Sequence, residues 1–226
     1  MKPALIFDMD GVIVDSNPFH KLAWQEFCKK YHCEMNDEEL KTNVYGKTNH
    51  DVVPFIFEQK LKQAPLSEAQ IQTYTREKEQ LFQDLFRPHI TATPGLLDFL
   101  PIVQHWFSSL AIGTSAPTMN VNFTLDALGI RSFFPIIVDD TEIKNGKPDP
   151  EIYLTVAEKL AMAPKDCIVI EDSLAGVEAA KRAGMSVIGI TTTHSKKELE
   201  KEVDLVIDDF SNIAGQLDHF LSPSHS

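Results

Sequence analysis

Two aspartates, Asp8 and Asp10, stand two residues apart directly behind the apolar run Ala4-Leu5-Ile6-Phe7, and Gly11 follows them. Four apolar residues without alternation are the pattern of a strand buried on both faces. Two carboxylates at the end of such a strand repel one another, and one pKa rises unless a cation or a phosphoryl group lies between them. Gly11 lets the backbone turn sharply and approach a ligand closely. Open parallel sheets bind their ligands at the carboxyl ends of their strands. An acidic turn explains Asp8 to Gly11 equally well when these residues are taken alone.

Other strand ends supply the remaining parts of a phosphoryl-transfer site. The segment Ser109 to Gly113 ends in Thr114-Ser115, and Cys167 to Ile170 ends in Glu171-Asp172. Between them the loop Lys144 to Pro150 carries Lys147, fixed before a proline. Magnesium takes hard oxygen ligands and retains several waters. Asp8, Glu171 or Asp172, and the Asp10 main-chain carbonyl supply such oxygens. The Thr114 hydroxyl and the Lys147 charge can hold phosphate oxygens and oppose transition-state charge. Asp8 is then free to attack phosphorus, and Asp10 to protonate the leaving oxygen.

The elements that must position these residues fall into two blocks. Residues 17–86 read as all-helical, with helices predicted over Pro18 to Tyr31, Glu38 to Asn43, Asp51 to Lys62 and Ser67 to Phe86. Asn36 or Asp37 caps the second, Gly46 breaks the chain after it, and Ser67 with Gln70 resembles a capping box. From Pro94 onward strands alternate with helices, which implies parallel strands joined by right-handed crossovers. The expected fold is therefore α/β: a three-layer Rossmann-like parallel-sheet core from residues 1–16 and 87–226, with residues 17–86 inserted as a helical cap. The cap is expected above the carboxyl end of the sheet, facing Asp8 and Asp10. Asp139-Asp140 reads as a helix or loop cap and His194 is assigned no role.

Composition narrows the function classes. The chain has 226 residues, 43% hydrophobic and 24% charged, enough for a real core. A net charge of −12 argues against nucleic acid or an anionic membrane as partner. It leaves room for a small anionic substrate held by a local lysine. Cys28, Cys33 and Cys167 make no even framework, and Cys28, His32 and Cys33 lack companions at familiar metal spacing. Reduced structural thiols are expected. With neither a signal-peptide pattern nor a run of membrane-spanning length, a cytoplasmic monomer is the expectation.

Four motifs resemble those of the haloacid dehalogenase-like hydrolase superfamily, in the branch of beta-phosphoglucomutase and the sugar-phosphate phosphatases. They are Phe7 to Val12, Ile112 to Ser115, Gly146 to Pro150 and Ile170 to Val177, in the family's order. The resemblance implies Asp8 as the nucleophile forming an aspartyl-phosphate and Asp10 as the general acid and base. It implies that Thr114 and Lys147, with Ser115 beside them, bind the phosphoryl group. Magnesium is then held by Asp8, the Asp10 carbonyl and Asp172, with Glu171 as a ligand or a supporting acid. The acid pair Glu171-Asp172 and the second acid Asp10 favour phosphate over organic halide as substrate.

In the cap the resemblance is mixed. Ser16, His20 and Trp24, then Gly46 with Thr48, and Lys78 are beta-phosphoglucomutase-like. Taken alone, Lys78 among Arg76, Glu77 and Glu79 reads as a solvated face. The mutase branch holds a second phosphate with an arginine where this chain has Asn49, and Lys47 lacks a guanidinium's bidentate fork. A Lys-Asn pair of that branch is replaced by Pro117-Thr118. The expectation is a magnesium-dependent phosphatase of a small phosphorylated metabolite, such as a hexose phosphate. The alternatives are a sugar phosphomutase and a non-catalytic binding protein.

Overall fold

A computed structural model describes residues 2–44 and 48–221. Gly46, Lys47 and the tail from Ser222 lie outside the described residues. The chain divides into two compact units, Met1–Asp15 with Thr91–Ser226, and Ser16–Ile90.

The first unit is built on one parallel sheet. Among the described residues its strands are β1 (Ala4–Phe7), β2 (Ser109–Gly113), β3 (Ile136–Val138), β4 (Cys167–Glu171), β5 (Ser186–Ile190) and β6 (Leu205–Ile207). Their order in the sheet is β3-β2-β1-β4-β5-β6. The path leaves β1 toward β2 and β3, then returns across β1 to β4 and continues to β5 and β6. Connections from β1 and β4 therefore diverge, which makes the crevice between them the topological switch point. All four residues of β1 are 0% exposed, as the unbroken apolar run requires.

The second unit holds α1 (Asn17–Lys30), α2 (Asp37–Asn43), α3 (Asn49–Pro54) and α4 (Glu68–Phe86). Its core gathers Trp24, Phe27, Leu40, Val52, Phe57 and Ile71. Asn36 is the cap of α2: its Oδ1 accepts the Glu39 N–H at 2.9 Å, and Glu39 returns a carboxylate to the Asn36 N–H at 3.1 Å. Gln70 Oε1 accepts the Ser67 N–H at 2.9 Å at the start of α4, as the capping-box pattern expects. The expected single helix from Asp51 to Lys62 is a correction. The helix starts earlier, behind Thr48, and after Pro54 the chain widens into a π-helical turn over Phe55–Lys60. Pro54 has no N–H for the regular ladder, and the Leu61 N–H reaches five residues back to Ile56 O at 3.0 Å.

In the first unit the helices are α5 (Leu96–Val103), α6 (Thr118–Leu128), α7 (Glu151–Lys159), α8 (Leu174–Arg182), α9 (Lys196–Leu199) and α10 (Ile213–Leu221). On one sheet face Ile6, Ala111, Val169 and Val187 pack with Ile152 and Val156 of α7 and Ala180 of α8. On the other, the Phe7 ring meets Phe134 at 5.5 Å and Phe210 at 6.2 Å. Phe210 in turn meets Phe99 of α5 at 5.2 Å, and the α/β expectation is borne out. α7 begins at Glu151, with Asp149 standing outside it: Asp149 Oδ1 accepts the Glu151 N–H at 3.0 Å.

The three cysteines are free and buried. Burial pushes the Cys28 thiol up to about 12 and the Cys167 thiol up to about 11, and raises Cys33 as well. The thiolate is the reactive form. A disulfide-exchange reagent at pH 8 is therefore expected to find no fast thiol in the native protein and all three in guanidinium. One fast-reacting thiol in the native state would refute that inertness.

Candidate active site

Strand register brings the predicted core residues together. Phe7 lies level with Ile112 of β2 and Ile170 of β4, so Asp8 leaves the sheet beside Gly113, the residue before Thr114, on one side and Glu171 on the other. The Asp8 N–H donates to Ile170 O at 3.0 Å and the Thr114 N–H to Val138 O at 3.0 Å. Asp8, Glu171 and Asp172 each offer an oxygen within 4.8 Å of the others. Lys147 Nζ bridges them, donating to Asp8 Oδ1 at 2.8 Å and to Glu171 Oε1 at 2.7 Å.

The electrostatics follow from crowding and burial. Burial pushes Asp8 up to about 7; Lys147 pulls it down, while Glu171 and Asp10 push it further up. Asp172 is pushed up to about 8 by burial, then by Glu171 and Asp8. Glu171 is different. Burial raises it, but Lys147, the Ser173 N–H and Tyr153 outweigh that and hold it below its ordinary value. Lys147 is held well above its ordinary value: burial opposes its charge, and Asp8 and Glu171 more than compensate.

The donor set fits a hard divalent cation. One ammonium against three buried carboxylates leaves surplus negative charge, and it is carried by oxygen, the ligand type magnesium takes. Glu171 is the least suited of the three to ligate. Its Oε2 accepts the Asp172 and Ser173 N–H groups at 2.9 Å each and Ser173 Oγ at 3.0 Å. Its Oε1 accepts Lys147 and the Tyr153 hydroxyl. Asp8 and Asp172 are the carboxylates suited to a metal, and Glu171 anchors the lysine and the strand end.

Residues that the motifs did not single out complete the arrangement. Gly11 has φ +79°, and a Cβ there would stand 2.0 Å from Asp172 Oδ2. Thr193 Oγ1 donates to that same oxygen, and Thr192 Oγ1 to the Gly11 carbonyl. The signal for these threonines was their place at the carboxyl end of β5. Thr114 Oγ1 accepts the Ala116 N–H at 3.1 Å. Ser115 is exposed and Asp10 partly buried. Asp139 caps its own turn, accepting the Thr141 N–H at 3.0 Å, and also takes the Thr118 hydroxyl.

The helical unit collects most of its own candidates. Lys78 is 2% exposed, which corrects its reading as part of a solvated face. Its Nζ lies 2.9 Å from Glu79 Oε1, 2.9 Å from His20 Nδ1 and 5.0 Å from the Trp24 ring. His20 stacks on Phe82 at 3.7 Å. Asn49 Nδ2 donates to Glu79 Oε1 at 2.7 Å. Glu79, 1% exposed, was hidden in a charge run and is the hub of this network. Thr48 serves as the cap of α3, its hydroxyl bonded to Asp51 Oδ2 at 2.7 Å. Ser16 is buried and its carbonyl accepts the Phe19 and His20 N–H groups.

Comparison with known proteins identifies the family. The family model described as haloacid dehalogenase-like hydrolase matches residues 5–190. The chain is 34% identical over 185 residues to a phosphorylated carbohydrates phosphatase of Thermotoga maritima, covering 82% of this chain and 83% of the relative. It is 32% identical over 192 residues to a beta-phosphoglucomutase of Bacillus subtilis, covering 83% of this chain and 82% of that one. A crystal structure of beta-phosphoglucomutase from Clostridium difficile superposes with a TM-score of 0.80 at 30% identity, covering 97% of this chain and 96% of that one. The chain is a member of the haloacid dehalogenase-like hydrolase family.

Proposed function

We propose that the protein is a magnesium-dependent phosphatase acting on a small phosphorylated metabolite, a sugar phosphate in the first instance, through an aspartyl-phosphate on Asp8. The observation that carries this reading is the Lys147 ammonium 2.8 Å from Asp8 Oδ1 at the topological switch of the sheet. That contact favours the ionised, nucleophilic form of a carboxylate which burial would otherwise protonate.

An Asp8 oxygen attacks phosphorus while Lys147 and the Thr114 hydroxyl hold phosphoryl oxygens and oppose the charge that develops there. Asp10 gives its proton to the leaving oxygen, then takes one from the water that hydrolyses the aspartyl-phosphate. Asp8, Asp172 and the Asp10 carbonyl would hold magnesium, which when bound would supply neutralising positive charge to the phosphoryl group. The free, buried thiols accord with the cytoplasm. Among the described residues no helix is long and apolar enough to cross a membrane.

Hydrolysis is favoured over mutase chemistry by the helical unit. Asn49 stands where the mutase branch has arginine and gives its amide to Glu79, and Glu79 also cancels the charge of Lys78. Retention of a bisphosphate needs cations there. The mutase reading rests on the identity shared with the Bacillus subtilis enzyme. Phosphate release from a panel of sugar phosphates, run beside a bisphosphate-primed assay of beta-glucose 1-phosphate isomerisation, separates the two. Release faster than isomerisation supports the phosphatase, and the reverse order overturns it.

Thr193 should orient Asp172 toward the metal. Partners that fix a ligating carboxylate are worth 10–100-fold in metal affinity, so Thr193→Val is expected to weaken magnesium binding about tenfold, with Thr193→Ser restoring it. Calorimetric titration of metal-free protein measures this directly. Equal affinity in wild type and Thr193→Val would remove the role.

A further inference from the structure

The catalytic sequence proposed above gives no task to Tyr153, although its hydroxyl is aimed into the site. Tyr153 lies in the first turns of α7 and is 0% exposed. Its ring is locked where β2 passes at Gly113, since a Cβ there would stand 3.3 Å from the ring atoms. The hydroxyl lies 2.8 Å from Glu171 Oε1, the oxygen that also accepts Lys147 at 2.7 Å, and the Lys147 ammonium sits 5.0 Å from the ring centroid. An ionised carboxylate only accepts hydrogen bonds, so the phenol is the donor. Burial, and then Glu171, keep it protonated by holding its pKa well above the ordinary value.

Lys147 thus has two carboxylates competing for it. Asp8 is where the phosphoryl group is transferred, and Glu171 is a fixed anion on the other side. A Glu171 Oε1 with the ammonium as its sole partner would draw Lys147 away from Asp8. We propose that Tyr153 is a positioning residue for Lys147: its hydroxyl shares Glu171 Oε1 and its ring supports the ammonium, which keeps the lysine within reach of a phosphoryl oxygen at Asp8. Lys147 has three N–H donors, and two of them are engaged by Asp8 and Glu171. This inference rests on the reading of the site as one that binds a phosphoryl group.

The test is Tyr153→Phe, which removes the hydroxyl and keeps the ring. Inorganic phosphate is titrated calorimetrically into wild type and variant at saturating magnesium, and magnesium into both without phosphate. Hydrogen bonds to charged groups are worth enough to shift affinity by about tenfold. Phosphate binding is expected to weaken by that factor while magnesium affinity stays within about twofold. Unchanged phosphate affinity would overturn the inference, as would equal loss of phosphate and magnesium, the mark of a site loosened as a whole. Phosphate release by wild type from sugar phosphates is measured alongside. If wild type turns over and Tyr153→Phe binds phosphate normally, the positioning role fails and the phosphatase reading stands. If wild type turns over no ester while the variant still loses phosphate selectively, the phosphatase reading fails and the positioning role stands.

Discussion

Asp8→Asn is expected to lower steady-state phosphate release by roughly 10^4-fold or more, the scale on which removal of a covalent nucleophile acts, while the protein stays folded. An amide of the same shape occupies the end of β1, and the Asp8 N–H keeps its bond to Ile170 O. What is lost is the oxygen proposed to attack phosphorus and the charge opposite Lys147. The variant should melt cooperatively, because the side chain removed is one that burial penalises when charged. The measurement is phosphate release with a sensitive coupled assay, beside a thermal melt. Residual activity above about 1% of wild type would exclude Asp8 as the nucleophile, since no uncatalysed or bystander route reaches that level.

Gly176→Ala is expected to damage both stability and activity, although alanine ordinarily stabilises a helix by about 1 kcal/mol relative to glycine. Gly176 lies in the first turn of α8, and a Cβ there would stand 1.6 Å from Glu171 Oε1. That oxygen has no room to move, because Lys147 and Tyr153 donate to it and Ser173 holds its twin. Either α8 is displaced, taking the Ser173 cap with it, or Glu171 is displaced and Lys147 follows. Overpacking of a tight interior costs about 1–3 kcal/mol, and here the displaced groups are those proposed to bind phosphate. The expected outcome is a stability loss of that size with activity down by about 100-fold or more, since small misplacements at a reacting centre cost that much. Gly215→Ala in α10 is the control: nothing lies within 4 Å of its Cβ, so a small gain in stability is expected. Comparable melting temperatures for Gly176→Ala and wild type would show that the contact with Glu171 is not tight.

Much of the site was legible because strands buried on both faces announce themselves. Ala4 to Phe7 and Ser109 to Gly113 were read to the residue, and the acids and hydroxyls at such ends could only converge. What stayed hidden depends on which side of a helix is covered. Arg76 to Glu79 look alike as charged letters, yet Lys78 and Glu79 are buried and paired while Arg76 and Glu77 lie nearer solvent. Tyr153 was one apolar position among several on α7, and nothing local shows that its hydroxyl ends at Glu171. The turn at Pro54 was missed for the opposite reason. A proline was visible, but whether the helix breaks or widens depends on the packing of Phe57 and Ile56 in the unit's core.

The position of β1 between β2 and β4 has a consequence during synthesis. Ala4 pairs with Ser109 on one side and with Cys167 on the other, so the strand that emerges first is enclosed on its second side only when β4 leaves the ribosome. At 5–20 residues per second that interval is on the order of ten seconds. Throughout it a wholly apolar strand presents an open edge, the condition under which chains pair with one another and aggregate. Chains truncated before Cys167 should accordingly collect in the insoluble fraction, and the nascent protein should depend on whatever shields that edge until β4 arrives.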